Sequence, residues 1–277
     1  MISITKADGT KELFDKSKLV NSLRNAGGNE QIIEEILLGL NKEMYEGMPT
    51  SEIYSRAFKL LRGHSMPIAI KYSIRRALSE LGPDGFPFEK YVAKIFESWG
   101  YETLTDQTVL GVCVPHEVDV VAWNKDKLIM VEAKFHNELA MKSDLKVVLY
   151  IKARFDDISG TMFDYGNIKR HLTEGWLVTN TKFTDQAIKY GECNHVKMLG
   201  WNYPEKGNLH DIIEELHLHP FTCLDSLSNI MKKSLLSKGV ILCTDILYKP
   251  SILEEIGMKS PETDSVIAEI KEVCGIK

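Results

Sequence analysis

Apolar residues recur at helical spacing in the first third of the chain. Ile33, Ile36, Leu37 and Leu40 share one face of a helix expected over about 30–44. Ile53, Ala57, Leu60 and Leu61 do the same in a third helix, with Thr50 or Ser51 as its cap. A fourth helix is expected over about 68–81. Ahead of these lie two short β patterns, 2–6 and 11–14, joined by a turn at Asp8-Gly9. Asp15 reads as the N-cap of the first helix, because its carboxylate can accept from the open N–H groups of the next turn. Phe14 and Leu19 stand at staple positions around it, and Gly27-Gly28 ends it.

The pattern then changes. A helix over about 88–99, stopped by Gly100, precedes strand-like stretches at about 108–114, 117–123 and 128–135, with a turn at 124–127. Gly and Pro break the chain at 81–87, and a second break falls at His219-Pro220. These divide it into segments 1–82, 83–220 and 221–277. The last segment reads as short helices: about 224–233, one from 245, one over 251–256, and a final one with Ser260 as N-cap and Pro261 at its first position. Its turn at Ile256-Gly257-Met258 resembles a helix-hairpin-helix, and both a DNA-gripping and a helical packing or dimerisation role stay open.

Of the 277 residues, 44% are apolar and 26% charged, a globular rather than disordered composition. No apolar run reaches the length of a membrane span, and the start lacks the apolar core of a signal peptide. The five cysteines contain no CxxC pair. Neither a structural zinc site nor a disulfide framework is expected, and the cytoplasm is the expected location. The net charge of −5 divides as +2, −6 and −1 over the three segments. The acidic middle does not exclude DNA, since bound metal neutralises clustered carboxylates.

One strand there is chemically odd. Leu128-Ile129-Met130-Val131 is apolar enough for burial, yet continues as Glu132-Ala133-Lys134. Residues two apart on a strand share a face, so Glu132 and Lys134 project together. A four-residue loop at 124–127 puts Trp123 opposite Leu128 and therefore Asp119 opposite Glu132, roughly 5 Å apart at Cβ. Two opposed carboxylates beside Val118, Val120, Val121 and Val131 repel and are costly to desolvate. A bridging Mg²⁺ or Mn²⁺ removes both penalties.

Two family resemblances follow from these blocks. Residues 4–9, 12–19 and 45–53 resemble the ATP-cone, a small nucleotide-binding regulatory domain at the start of many ribonucleotide reductases. That resemblance implies ATP or dATP as ligand, Lys6 and Lys18 facing its phosphates, and Ile4, Glu12 and Thr50 in the pocket. Ala7 stands where the family usually has a basic residue, and Arg75 and Arg76 could supply charge instead. The motif Asp119…Glu132-Ala133-Lys134 resembles the PD-(D/E)XK nucleases. Phe88-Glu89, His116–Ala122, Trp176–Asn180 and Phe183–Ala187 point to the Mrr-like restriction endonuclease branch. Carried over, Asp119 and Glu132 hold the catalytic metal, with the Ala133 carbonyl as a further ligand. Lys134 orients or helps deprotonate the attacking water and stabilises developing phosphorane charge, and Glu89 joins the catalytic set as an outer or second-metal carboxylate.

The expected architecture is therefore α/β: a small α+β ATP-cone, a restriction-endonuclease-like α/β/α core with a mixed sheet, and a helical C-terminal segment. The expected function is metal-dependent cleavage of DNA by a homo-oligomer, regulated by nucleotide. A non-catalytic nucleotide-sensing regulator that binds DNA or a partner is the alternative. His116 and His136 are secondary candidates for substrate contact; Lys152 and Arg154 could contact DNA phosphates, but a solvated face is the favoured reading of each. Thr179-Asn180 reads as structural, and the His217/His219 pair lacks a third metal ligand.

Overall fold

The computed structural model describes residues 2–6, 9–82 and 84–276. Asp8 of the first turn, the non-basic Ala7 and Pro83 at the first break lie outside these. The N-terminal segment contains β1 (Ser3–Thr5), β2 (Lys11–Leu13), α1 (Lys16–Asn25), α2 (Glu30–Glu43), β3 (Met48–Pro49), α3 (Thr50–His64) and α4 (Met66–Ser79). Its sheet runs β2-β1-β3. Asp15 caps α1 by accepting from the Ser17 amide at 2.9 Å. The cap expected at Thr50 or Ser51 is instead Pro49, with no side-chain hydrogen bond. Strand β3 runs straight into the helix, so Thr50 is already its first residue.

The middle segment contains α5 (Phe86–Ser98), β4 (Glu102–Leu110), β5 (Pro115–Trp123), β6 (Leu128–Lys134), β7 (Lys142–Ser143), α6 (Leu145–Ser159), β8 (Met162–Tyr165), β9 (Ile168–His171), β10 (Glu174–Thr179), β11 (Lys182–Phe183), α7 (Asp185–Cys193), β12 (Lys197–Leu199) and α8 (Leu209–Glu215). A mixed sheet runs β12-β10-β6-β5-β4. Helix α5 packs on one face against Val120, Ala122, Ile129 and Val131. Helix α6 and Ala187 of α7 cover the other, against Val121, Met130 and Leu177.

The strand expected at 108–114 lies further back. Its first half, Glu102 to Gln107, is polar but alternates in burial, as an edge strand does. It stops before Gly111, where a Cβ would come within 2.2 Å of the Asp157 carboxylate. That carboxylate gathers the loop by accepting from the amides of Cys113 at 2.8 Å and Val114 at 3.3 Å.

The last segment opens with a 3-10 turn, Phe221–Cys223, followed by α9 (Asn229–Ser237), α10 (Cys243–Tyr248), α11 (Ser251–Glu255) and α12 (Glu262–Cys274). Helix α9 starts at 229, not 224, because Ser228 caps it by accepting from the Met231 amide at 3.3 Å. Pro261, not Ser260, stands at the N-cap of α12, and the Ser260 hydroxyl donates to Asp264 at 3.0 Å.

Helix α4 ties the three parts together. Ala69 packs in the N-terminal core. Ile74 and Leu78 pack with Phe88 and Tyr91 of α5. Ile70 and Ala77 pack with Phe221, Leu235 and Ile246, and the Thr222 hydroxyl donates to the Ala77 carbonyl at 2.7 Å. Ile70, Ile74 and Leu78 are fully buried. Truncating any one of them to Ala costs about 2–5 kcal/mol, so the helix cannot shift for one core without disturbing the others.

Candidate active site

Strands β5 and β6 pair as the hairpin spacing requires: Trp123 faces Leu128 and Val120 faces Val131. Continued by one step, that register would set Asp119 opposite Glu132, but the paired ladder ends at Val120–Val131. The ladder breaks at that step on both sides. Asp119 has no paired partner in β6, and in β4 the pairing passes from Thr105–Val120 to Gln107–Val118, skipping Asp106. Asp106 has φ of 55°, a left-handed conformation that is unusual for a strand residue. The sheet therefore opens around Asp119. One Asp119 oxygen, Oδ2, accepts from the Ala133 amide at 2.6 Å, replacing the missing ladder bond.

Three carboxylates interact electrostatically there. Burial, then the charge of Asp119, raises the Glu132 carboxyl to about 7, against the pull of Arg154 and Lys134. Asp119 is raised by burial, with the Ala133 amide, Arg154 and Lys134 opposing. Glu89, in the first turn of α5, is also raised to about 7, by burial and then by Asp119, Asp106 and Glu132. Such crowding disfavours the charged forms and favours a cation. Among the described residues, no group of three or more His, Cys, Asp or Glu side chains is arranged to hold a metal ion. A site built from Asp119, Glu132 and the Ala133 carbonyl uses only two carboxylates, and its all-oxygen donors suit Mg²⁺ or Mn²⁺.

Arg154 is the neighbour that sequence reasoning placed wrongly. Expected on a solvated face, with a DNA-phosphate contact as the alternative, it is largely buried on α6. Its Nη1 meets Glu132 Oε2 and donates to the Glu117 carbonyl at 3.0 Å. Its Nη2 donates to the Tyr150 hydroxyl at 2.8 Å, and the guanidinium lies over the Tyr150 ring. The i, i+4 spacing of Tyr150 and Arg154 accounts for their contact but gives no sign of Glu132.

The other candidates sort clearly. Lys134 is exposed at the end of β6, facing Thr179 of β10. Asn180, buried, clamps the His136 backbone: its Oδ1 accepts from the His136 amide at 2.9 Å and its Nδ2 donates to the carbonyl at 2.8 Å. This is a structural role. The His136 ring meets Ser143 Oγ at 3.1 Å, and His116 meets Asp157 at 2.7 Å, on the loop 111–114 side. Lys152 pairs with Asp156. His219 is buried, with Nε2 3.4 Å from Glu214 Oε1, outside hydrogen-bond geometry. The thiols of Cys223 and Cys243 lie 3.9 Å apart nearby.

In the N-terminal segment, Lys6 and Lys18 converge on Glu12, at 2.6 and 3.5 Å. Ile4 pairs with Glu12 and Met48 across the small sheet, which brings Thr50 close behind Pro49. Ile4 itself is buried. Arg75 donates to the Leu139 carbonyl at 2.6 Å, and Arg76 pairs with Glu80 at 3.3 Å.

Comparison with known proteins agrees with this order of parts. Residues 2–81 match the ATP cone domain, 82–201 the restriction endonuclease domain, and 219–274 the AF1548-like C-terminal domain. The chain is thus an ATP-cone followed by an Mrr-type restriction endonuclease domain. An uncharacterised protein of Archaeoglobus fulgidus is 36% identical over 185 residues, 66% of this chain and 100% of its own length. The crystal structure of AF1548, a protein of unknown function, overlays with a TM-score of 0.56 at 35% identity, covering 70% of this chain and 100% of that one. This chain belongs to the AF1548-like family. The MspJI restriction endonuclease, solved with a 27-mer oligonucleotide, overlays at a TM-score of 0.37 and 13% identity, covering 72% of this chain and 39% of that one. That likeness is too loose to bear on function.

Proposed function

We propose that this protein is a metal-dependent nuclease that hydrolyses DNA phosphodiester bonds under the control of ATP or dATP bound to its cone. The observation that carries the reading is that Asp119 and Glu132, both largely buried, lie close enough for the charge of Asp119 to raise the Glu132 carboxyl, with Lys134 acting on both, where the β5–β6 ladder of a restriction endonuclease domain ends. Asp119, Glu132 and the Ala133 carbonyl would hold Mg²⁺ or Mn²⁺. A divalent ion bound there supplies Lewis-acid stabilisation of the phosphodiester oxygens and eases deprotonation of water.

The chain's own groups do the rest. The Lys134 ammonium orients the attacking water and offsets charge building on the phosphorus oxygens. The Ala133 amide fixes Asp119 by donating to its Oδ2. Arg154 pairs with Glu132 when no cation is near, neutralising the carboxylate that a cation would otherwise take. Glu89, half-titrated near neutrality, can hold or release a proton at the edge of the site.

Control by nucleotide has a route through α4, which is packed at once in the cone, nuclease and C-terminal cores. The test is incubation of the full chain with duplex DNA, single-stranded DNA and RNA, with Mg²⁺ or Mn²⁺, with and without ATP or dATP. Cleavage of DNA by the wild type, absent from Lys134→Ala and altered by nucleotide, is expected. Tight DNA binding with no cleavage under any metal would replace this reading with the non-catalytic regulator.

A further inference from the structure

Two lysines are locked side by side just beyond the candidate active site. Strands β7 and β11 form a short parallel ladder in which Lys182 faces Lys142 and Phe183 faces Ser143. Ser143 and Phe183 are buried, so the pair cannot drift apart without opening the core. Like charges at directly opposed positions are destabilising. No ion pair forms at either lysine among the described residues.

Two more cations come from the cone. Lys182 is held below its usual range by burial, then by the charges of Arg75, Lys142 and Lys18. Every charged group acting on it is positive. Arg75 is itself largely buried, lies over the Trp201 ring, and keeps a buried Nε without a hydrogen-bond partner. A buried donor without an acceptor is costly and points to a missing partner. Half of the cluster therefore belongs to the cone and half to the nuclease domain; Lys18, whose charge acts on Lys182, also pairs with Glu12 at 3.5 Å.

We propose that Lys18, Arg75, Lys142 and Lys182 form an anion site at the boundary of cone and nuclease domain, which takes the polyphosphate of a purine nucleotide. The inference rests on the reading of the cone as a nucleotide-binding domain and extends it. A triphosphate supplies the negative charge that the cluster lacks, and ammonium and guanidinium groups are its natural donors. The site favours a nucleotide over a nucleic-acid strand because two of its four cations lie on the cone.

The position gives the ligand a lever. Lys142 and Lys182 stand at the stem of the loop 135–141, which follows Lys134. That loop is held by Asn180 and Ser143 at His136 and by Arg75 at Leu139. Drawing the cations onto a phosphate chain pulls on the attachment points of the strand end that carries Glu132 and Lys134.

The experiment is calorimetric titration of the full chain with ATP, dATP, ADP and inorganic tripolyphosphate. Wild type, Lys142→Ala, Lys182→Ala and, as a control on an exposed hairpin, Lys169→Ala are compared. The expected result is an affinity for ATP or dATP reduced about 5- to 30-fold in Lys142→Ala and Lys182→Ala, and unchanged in Lys169→Ala. Removing either lysine relieves repulsion, so the nucleotide-free variants should melt no lower than wild type, which separates the effect from misfolding. Nucleotide binding by wild type that survives both substitutions would overturn this inference and leave the cone reading intact. A wild type that binds no nucleotide would overturn both. Loss of duplex DNA affinity with nucleotide affinity preserved would reassign the cluster to the nucleic-acid backbone.

Discussion

Replacing Arg154 by Ala tests the electrostatic account of the site. The guanidinium is 12% exposed and its partner Glu132 is 19% exposed. Breaking a fully buried pair from one side costs about 3–5 kcal/mol; partial access of water here lowers that to about 2–3 kcal/mol. For a protein of this size each kcal/mol moves the melting point by about 2–4 °C, so the variant should melt about 5–10 °C below wild type without divalent ions. Added Mn²⁺ should then narrow the gap. Arg154 competes with a cation for Glu132, and freeing that carboxylate to bind tenfold more tightly adds about 1.4 kcal/mol, or about 3–5 °C. Thermal melts of both proteins, with and without Mn²⁺, provide the assay. Equal melting points without metal, or an Mn²⁺ shift no larger in the variant, would refute the idea that Arg154 stands in for a cation.

Two further consequences concern groups away from the carboxylates. Burial alone would lower the His219 pKa, but Cys274 and Glu214 outweigh it and raise it to about 9 from the usual 6.5. The protonated ring therefore stabilises the fold fully below about 6.5, and the contribution fades as pH rises through about 9. Urea unfolding at pH 7 and 10 should show a loss larger in wild type than in His219→Gln, by up to about 3 kcal/mol; an equal loss would contradict the pairing. Asn180→Ala removes both bonds to the His136 backbone and should cost about 2–4 kcal/mol in chemical denaturation, with a drop in any cleavage rate. A variant as stable as wild type would show that the clamp does not hold the loop.

The hairpin that carries the acidic pair was legible because its four-residue turn and apolar approach fix the register. Helices α1 to α4 were legible because their apolar residues keep helical spacing. Edge strand β4 was misplaced because its first half is polar on an exposed sheet margin, which reads as loop without knowledge of its neighbour. Arg154 was misread because nothing local to 150–154 shows that α6 crosses behind Glu132. The convergence of Arg75, Lys18, Lys142 and Lys182 joins positions up to 164 residues apart, and no spacing rule links them. The triple role of α4 was hidden for a related reason: its apolar residues surround the helix, which announces burial but not the identity of the partners.

The claim on which the account depends is that Asp119 and Glu132 together hold one hard divalent ion. Titration with Mn²⁺ followed by electron paramagnetic resonance measures it without reference to substrate or turnover. One bound ion per chain in wild type, lost in Asp119→Asn and in Glu132→Gln while both variants stay folded by circular dichroism, is the predicted result. Equal Mn²⁺ binding by all three proteins, or none by wild type at millimolar ion, would contradict it.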